Sequence, residues 1–563
     1  MRDVKKYRAL AAALVALALV AAACGSSKKK TTSAQNTTAT TQAVREGGDL
    51  VFGAEQEADC LDWIGSCAGA AWGVYTIQGL TMPRTFDFDE NSNYKPSVLL
   101  TGEPKLEPGP PQKITYSINP KAVWDDGQKI TSHDFKYTWD QIVNGADIYD
   151  KTGYDQITGV DDSNPAVAVV SYKTAFADWR DLFGGFYGIF PSHLLEGKDR
   201  DALMKDGYTF SGGPWKLDHW TKGTETKLVP NPAFWGQKPH LSSITFKLQQ
   251  DTAAEQAAFK SKQVSMVYPQ AQPGQEKLKG LPDTSFDAIS GLSYEGLWLN
   301  TTKFPLDSLP VRQAVAFATD KDAIVKQLFA PVQPDIKPIN SFFTPAFGKA
   351  FTDDFKQYTP RSLDKVTELM TSDGWAKGSD GIWAKAGKKA QLEMKSTTGN
   401  KRRELTEQIL QSQWKEAGFD LTIANEKSSV LFGQDAPKGN YMIALYAQTP
   451  ASSDPGQCVT WCTKNIPSDA NGNSGQNWTR LAAPADIAKR LDDAWGPADT
   501  ELDVSKRLDL VKQGSKAVAD GVPGIPLDPF PDIIAYDSSK IGGPVTHDFS
   551  YGPWVNANLW FLK

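Results

Sequence analysis

"AQLEMKSTT" (390–398), "NKRRELTEQILQSQWKEAG" (400–418) and "FDLTIANE" (419–426) read as strand, helix and strand. The same alternation stands earlier in "SITFKLQ", "TAAEQAAFKSKQ" and "VSMVYP", beginning at residue 243. A helix between two strands implies a crossover connection, which goes with mainly parallel sheets. Two such units in a chain of 563 residues imply at least two α/β lobes. No repeat of solenoid period is present.

Outward from these units, "DLVFGA" (49–54) reads as a first strand, and "KITYSINPKAVWDDGQKIT" (113–131) as two strands around the Asp126-Gly127 turn. Thr131, three residues before Asp134, forms a near capping box, so a helix is expected to open there. A strand follows at 166–172, then an aromatic segment at 182–195, and a hairpin at 215–230 turning at Lys222-Gly223. Gly213-Pro214 is expected to set a bend that lets Trp215 enter its strand, and "NPAFW" (231–235) a turn that docks Phe234 and Trp235 in a core. Arg312 lies on a helix opening with Pro310 and is expected in a structural ion pair.

The chain starts with Arg2, Lys5, Lys6 and Arg8, then an apolar run from Ala9 to Ala23 that stops at Cys24. This order of basic, apolar and small residues is that of a secretory signal. The run is shorter than the roughly 20 residues that a spanning helix needs. The cysteine after small residues resembles the lipobox of bacterial lipoproteins, with Ala21 where Leu is usual. The resemblance implies removal of residues 1–23 and lipidation of Cys24, anchoring the chain to the outer face of the cell membrane. Residues 25–44 are almost devoid of large apolar side chains and read as a flexible tether.

Export makes disulfides chemically reasonable for the remaining cysteines, Cys60, Cys67, Cys458 and Cys462. Close spacing favours Cys60 with Cys67 and Cys458 with Cys462, although four cysteines allow three pairings. Spacings of C-x6-C and C-x3-C with no histidine nearby speak against zinc. The net charge of −6 argues against a nucleic-acid partner. Five histidines, His133, His193, His219, His240 and His547, serve the whole chain without an H-x-x-x-H pair. There is no G-x-S-x-G elbow, P-loop or dinucleotide fingerprint. No catalytic residue, metal ligand or cofactor is therefore assigned. A hydrolase whose triad assembles only in space stays open, as does a structural or partner-binding cell-envelope lipoprotein.

"VWDDGQKITSHDFKYTWDQI" (123–142), "TFSGGPWKLDHWTKGTETKLVPNPAFWGQKPHLSSITFKLQQD" (209–251), "LWLNTTKFPLDSLPVRQAVAFATDKDAIV" (297–325) and the segment 490–527 carry a resemblance to extracellular solute-binding protein family 5. These are the oligopeptide-, dipeptide- and nickel-binding subunits of bacterial ABC importers. The resemblance spans nearly all of residues 48–563. It implies a two-lobed α/β fold of the periplasmic-binding-protein kind, a class II Venus flytrap with an extra subdomain in the first lobe. It places lobe I at 47–299, lobe II at 300–524 and a return to lobe I at 525–563, after the signal (1–23) and the tether (24–46). It implies a monomer that closes on a small solute, peptide or peptide-like, and hands it to a permease driven by ATPase subunits. With so few histidines a nickel chelate or haem is a weaker match, and the aromatic content keeps a sugar open.

Peptide binders of this family often hold the peptide amino group on an Asp four residues before a D/E-P pair. Here the pair is Asp454-Pro455 and the earlier position is Ala451, so the usual ammonium anchor is absent, and either Asp454 or another acid substitutes or the solute lacks a free amino terminus. Asn300 is expected near the hinge. Trp63, Trp72, Trp298, Tyr446, Trp461 and Trp478 complete the candidate ligand contacts, most of them on loops at strand ends of α/β lobes, where solutes bind.

Overall fold

The computed structural model describes residues 44–563 apart from 66, 68–70, 90–92, 149–150, 185–187, 250, 451–454, 472–474, 546–553 and 555. The signal and Cys24, with Ala451 and Asp454, lie outside the described residues.

Ten strands form the main sheet: β1 (Asp49–Ala54), β2 (Trp215–Thr221), β3 (Glu225–Pro230), β4 (Ser243–Leu248), β5 (Met266–Val267), β6 (Thr284–Leu299), β7 (Gln391–Lys395), β8 (Asp420–Ile423), β9 (Ile443–Gln448) and β10 (Gly524–Asp537). Their order is β8-β7-β9-β6-β10-β5-β1-β4-β3-β2. The strands of both strand-helix-strand units lie in parallel pairs, β1 with β4 and β5, and β7 with β8 and β9, but the other five pairs of the sheet are antiparallel, so it is mixed rather than mainly parallel. The crossover helices are α2 (Thr252–Lys260) and α3 (Lys401–Ala417), preceded in the chain by α1 (Ser132–Asn144). Asp134 and Thr131 close the capping box of α1 as expected. A separate four-stranded antiparallel sheet (105–107, 113–117, 157–164 and 167–172) packs with α1 in the first lobe.

Two large hydrophobic cores divide the molecule. One runs from Leu50 to Met266 and resumes at Ile534; the other runs from Leu292 to Ile533, with Ala271 added. The long antiparallel ribbon of β6 and β10 passes from one core to the other. Its register is irregular between Ser290 and Tyr294 and again between Glu295 and Gly296, the local disruptions at which paired strands bend. Leu292 and Leu297 to Leu299 of β6, with Ile525, Leu527 and Ile533 of β10, pack in the second core. Asn300 accordingly sits deep in the second lobe, where its Nδ2 donates to the Tyr441 carbonyl (3.0 Å) and the Gly439 carbonyl (3.1 Å).

Two local expectations are corrected. Residues 123–131 make a tight turn with an isolated bridge from Val123 to Lys129 and no second strand. Arg312 is fully buried as a structural residue, but its guanidinium donates to the carbonyls of Leu306 (2.8 Å) and Gly521 (3.0 Å) rather than to a carboxylate. No helix among the described residues is long and apolar enough to cross a membrane.

Candidate functional site

A cleft of about 1730 Å³ opens between the two cores. Its walls are the segments that leave the carboxyl ends of parallel strands: Glu55 to Asp59 after β1, Tyr268 to Gln272 after β5, Thr397 to Arg403 after β7, and Thr449 after β9. Such strand ends are where open α/β sheets hold their ligands. Ser293, Phe530 and Asp532 of the β6–β10 ribbon also line it.

The second-lobe wall is basic. Asn400 caps α3 by accepting the Arg403 N–H (3.1 Å), and its Nδ2 reaches Gln270 Oε1 of the opposite wall (2.9 Å). Arg402 and Arg403 converge on one carboxylate, Glu295, which Arg403 Nε meets at 2.9 Å. Burial alone raises the Glu295 carboxyl, but the two guanidiniums outweigh it and hold the group below its ordinary value. Arg402 also stacks over the Phe530 ring at 4.1 Å. Asp528, the cross-strand neighbour of Glu295, is pushed well up by burial and then by the Glu295 charge. The two guanidiniums thus share one carboxylate partner, Glu295, at the amino end of a helix, where the macrodipole adds to their positive charge. Lys401 and Lys427 add two more cations to the lining, and the β6–β10 ribbon adds one acid, Asp532, whose carboxylate accepts from the Tyr268 hydroxyl at 2.7 Å.

The first-lobe wall is mainly acidic, with Glu55, Glu57, Asp59 and Asp155 against Lys151 and Lys222. Glu57 is engaged by Trp220 Nε1 (3.1 Å) and the Gly223 N–H (3.0 Å). Glu55 accepts the Gln270 N–H at 3.0 Å, and burial pushes its carboxyl up to about 7. Glu255, in the first turn of α2, is pushed well up by burial and then by Glu55.

Of the residues singled out from the sequence, Trp72, Tyr446 and Trp478 line the cleft. Trp72 lies edge-on to Tyr268 at 6.1 Å. Trp63 does not face the cleft: it is buried in the first core, stacked on Phe190 at 4.7 Å. Trp298 and Trp461 are also buried, stacked on each other at 5.4 Å behind the wall, with Trp298 stacked on Tyr446 at 5.0 Å. Asn300 likewise stays out of the cleft, and Asp454 lies outside the described residues. Cys60 is bonded to Cys67 and Cys458 to Cys462. Sequence reasoning missed the Arg402–Arg403 pair, Phe432 and Glu55. The basic "NKRRE" opening a helix just past a strand end is the signal that marked the first of these.

The sequence profile of the bacterial extracellular solute-binding proteins, family 5 (middle region), matches residues 109–468. The chain belongs to that family. Among curated relatives, the oligopeptide-binding protein OppA of Lactococcus lactis subsp. cremoris (strain SK11) is 24% identical over 352 residues, covering 56% of this chain. That match spans 58% of the relative's own length, less than two thirds of it. Among solved structures, the periplasmic EDTA-binding protein EppA superposes with a TM-score of 0.80 at 19% identity, covering 92% of this chain and 97% of its own. AppA of Bacillus subtilis, in complex with a nonapeptide, superposes with a TM-score of 0.78 at 20% identity, covering 92% of this chain and 100% of its own. These likenesses fix the two-lobed fold. The relatives are solute-binding proteins rather than enzymes, and the family is extracellular by its description.

Proposed function

We propose that the protein is the solute-capturing component of an ABC importer and takes up peptides or peptide-like solutes. The cleft closes on the solute, and the closed form docks on a membrane permease driven by ATPase subunits, while a lipid on Cys24 tethers the protein to the cell surface. On this reading the lobes hinge where the register of β6 and β10 is irregular. The solute biases closure by its differential affinity for the open and closed arrangements.

The observation that carries the reading is the charge division of the cleft. The Arg402–Arg403 pair, two guanidiniums on one carboxylate, suits a terminal carboxylate, and the mainly acidic opposite wall suits a cationic end. Glu55 is then the substitute ammonium anchor that Ala451 calls for. The volume exceeds the usual 300–1,000 Å³ range of small-molecule pockets and accommodates several residues of extended chain. The names of the relatives, oligopeptide-binding in Lactococcus and dipeptide-binding in Escherichia coli, agree. A polyanionic chelate such as the EDTA of the structural neighbour suits the basic wall and is opposed by the acidic one.

Isothermal titration with a mixed peptide library tests the reading. Saturable binding, with the peptides recovered intact after long incubation, supports a receptor; cleaved peptides point to a hydrolase, and no binding contradicts the peptide assignment.

A further inference from the structure

Three rings of the second lobe touch one another where they open on the cleft. Phe432 and Trp478 lie nearly parallel with centroids 6.1 Å apart, and Tyr446 meets Phe432 at 5.4 Å and Trp478 at 5.9 Å. Phe432 and Trp478 are only half-buried, so this is a continuous apolar face in a concavity rather than core. Phe432 is delivered by a single π-helical turn, Leu431–Asp435, a local irregularity often found at functional sites.

The face is held from behind. Tyr446 rests on Trp298 and Trp298 on Trp461, both fully buried. Trp461 lies between Cys458 and Cys462, which are disulfide-bonded, and its Nε1 donates to Gln457 Oε1 at 2.7 Å. Asn477 donates to the Trp461 and Cys462 carbonyls, both at 3.1 Å, and the Tyr441 hydroxyl donates to the Trp478 carbonyl at 2.7 Å. The disulfide, two amides and a hydroxyl thus fix the backbone on either side of the rings before any ligand arrives. A surface already ordered loses little freedom on binding, and rigid rings give large contact area at low entropic cost.

We infer that Phe432, Tyr446 and Trp478 form a preorganised side-chain subsite that selects peptides carrying an aromatic residue at one position, with the Cys458–Cys462 disulfide as its brace. The rings already touch, so the incoming side chain packs on their exposed faces and edges instead of sliding between them. The inference rests on the peptide reading and narrows it from any peptide to those with one fixed aromatic position.

The probes are pentaalanine and the five pentapeptides in which one alanine is replaced by phenylalanine, titrated into the purified protein. One position should gain about tenfold or more in affinity over pentaalanine. Phe432→Ala and Trp478→Ala should each bring that gain to within about twofold of pentaalanine measured on the same variant. The double variant Cys458→Ser, Cys462→Ser should lower the gain without lowering pentaalanine binding. Phe432→Leu, which keeps an apolar side chain, should fold as the parent does and retain part of the gain. Peptide binding with no favoured position, or a gain that survives both truncations, overturns the subsite alone. Failure of all six peptides and of the mixed library to bind overturns the peptide reading and the subsite with it.

Discussion

The Arg507 guanidinium of the second lobe pairs with the Asp178 carboxylate of the first. One residue before Asp178, the Ala177 N–H donates to the Asp499 carbonyl at 2.8 Å. Both contacts join the lobes outside the β6–β10 ribbon, and separating the lobes breaks them.

Contacts made only with the lobes together add to the closed state. Asp178→Ala is therefore expected to weaken solute binding by roughly twofold to tenfold, the scale of a partly exposed ion pair. Solution scattering should show a larger solute-free radius for the variant, with the difference shrinking at high salt.

The guanidinium pair at the start of α3 gives a second outcome. Arg403→Ala should weaken a peptide with a free carboxyl terminus by about 10- to 100-fold, the range of a hydrogen bond to a charged group. The same peptide as a carboxyl-terminal amide should lose little. Calorimetry on the two peptides separates a specific carboxylate contact from general damage.

Glu55 gives a pH dependence. Its carboxyl is raised from 4.5 to about 7 in the folded chain. Below 4.5 both folded and unfolded chains hold the proton. Between 4.5 and about 7 the unfolded chain releases it first, so stability falls as pH rises, and above about 7 that loss is complete. Glu55→Gln removes the effect. It should raise the Tm by a few degrees at pH 8 and change it little at pH 5, read by calorimetry of the solute-free protein.

A buried ion pair in the first lobe sets a stability prediction. Arg200 Nη1 reaches both Asp62 oxygens at 2.8 Å, with both side chains buried. Arg200→Ala leaves the carboxylate without its cation and should destabilise the first lobe by about 3–5 kcal/mol. Urea unfolding measures this, and a loss under 1 kcal/mol contradicts it.

Much of this was legible in the chain itself where a local rule decides. The helix expected at 400–418 is Lys401–Ala417, and the capping pair Thr131–Asp134 does what its spacing predicts. Both are set by neighbours a few residues away. Which core covers β6 was not legible, because the strand runs unbroken for 16 residues and only partners distant in the chain put Leu292 and Leu297 to Leu299 in the second core. Direction was equally hidden for the tryptophans. Trp63 and Trp72 are near neighbours in the chain, yet Trp72 opens on the cleft and Trp63 stacks on Phe190, a partner 127 residues away in the chain. Distant packing decides which way such a ring turns, and local spacing carries no trace of it.

A cleft that holds a peptide by its charged ends should retain such peptides through purification. The most direct measurement is native mass spectrometry of the protein purified without refolding, followed by denaturation and sequencing of whatever small molecules are released. A mixed set of short peptides with free carboxyl termini is the predicted result. A single non-peptide mass would contradict it.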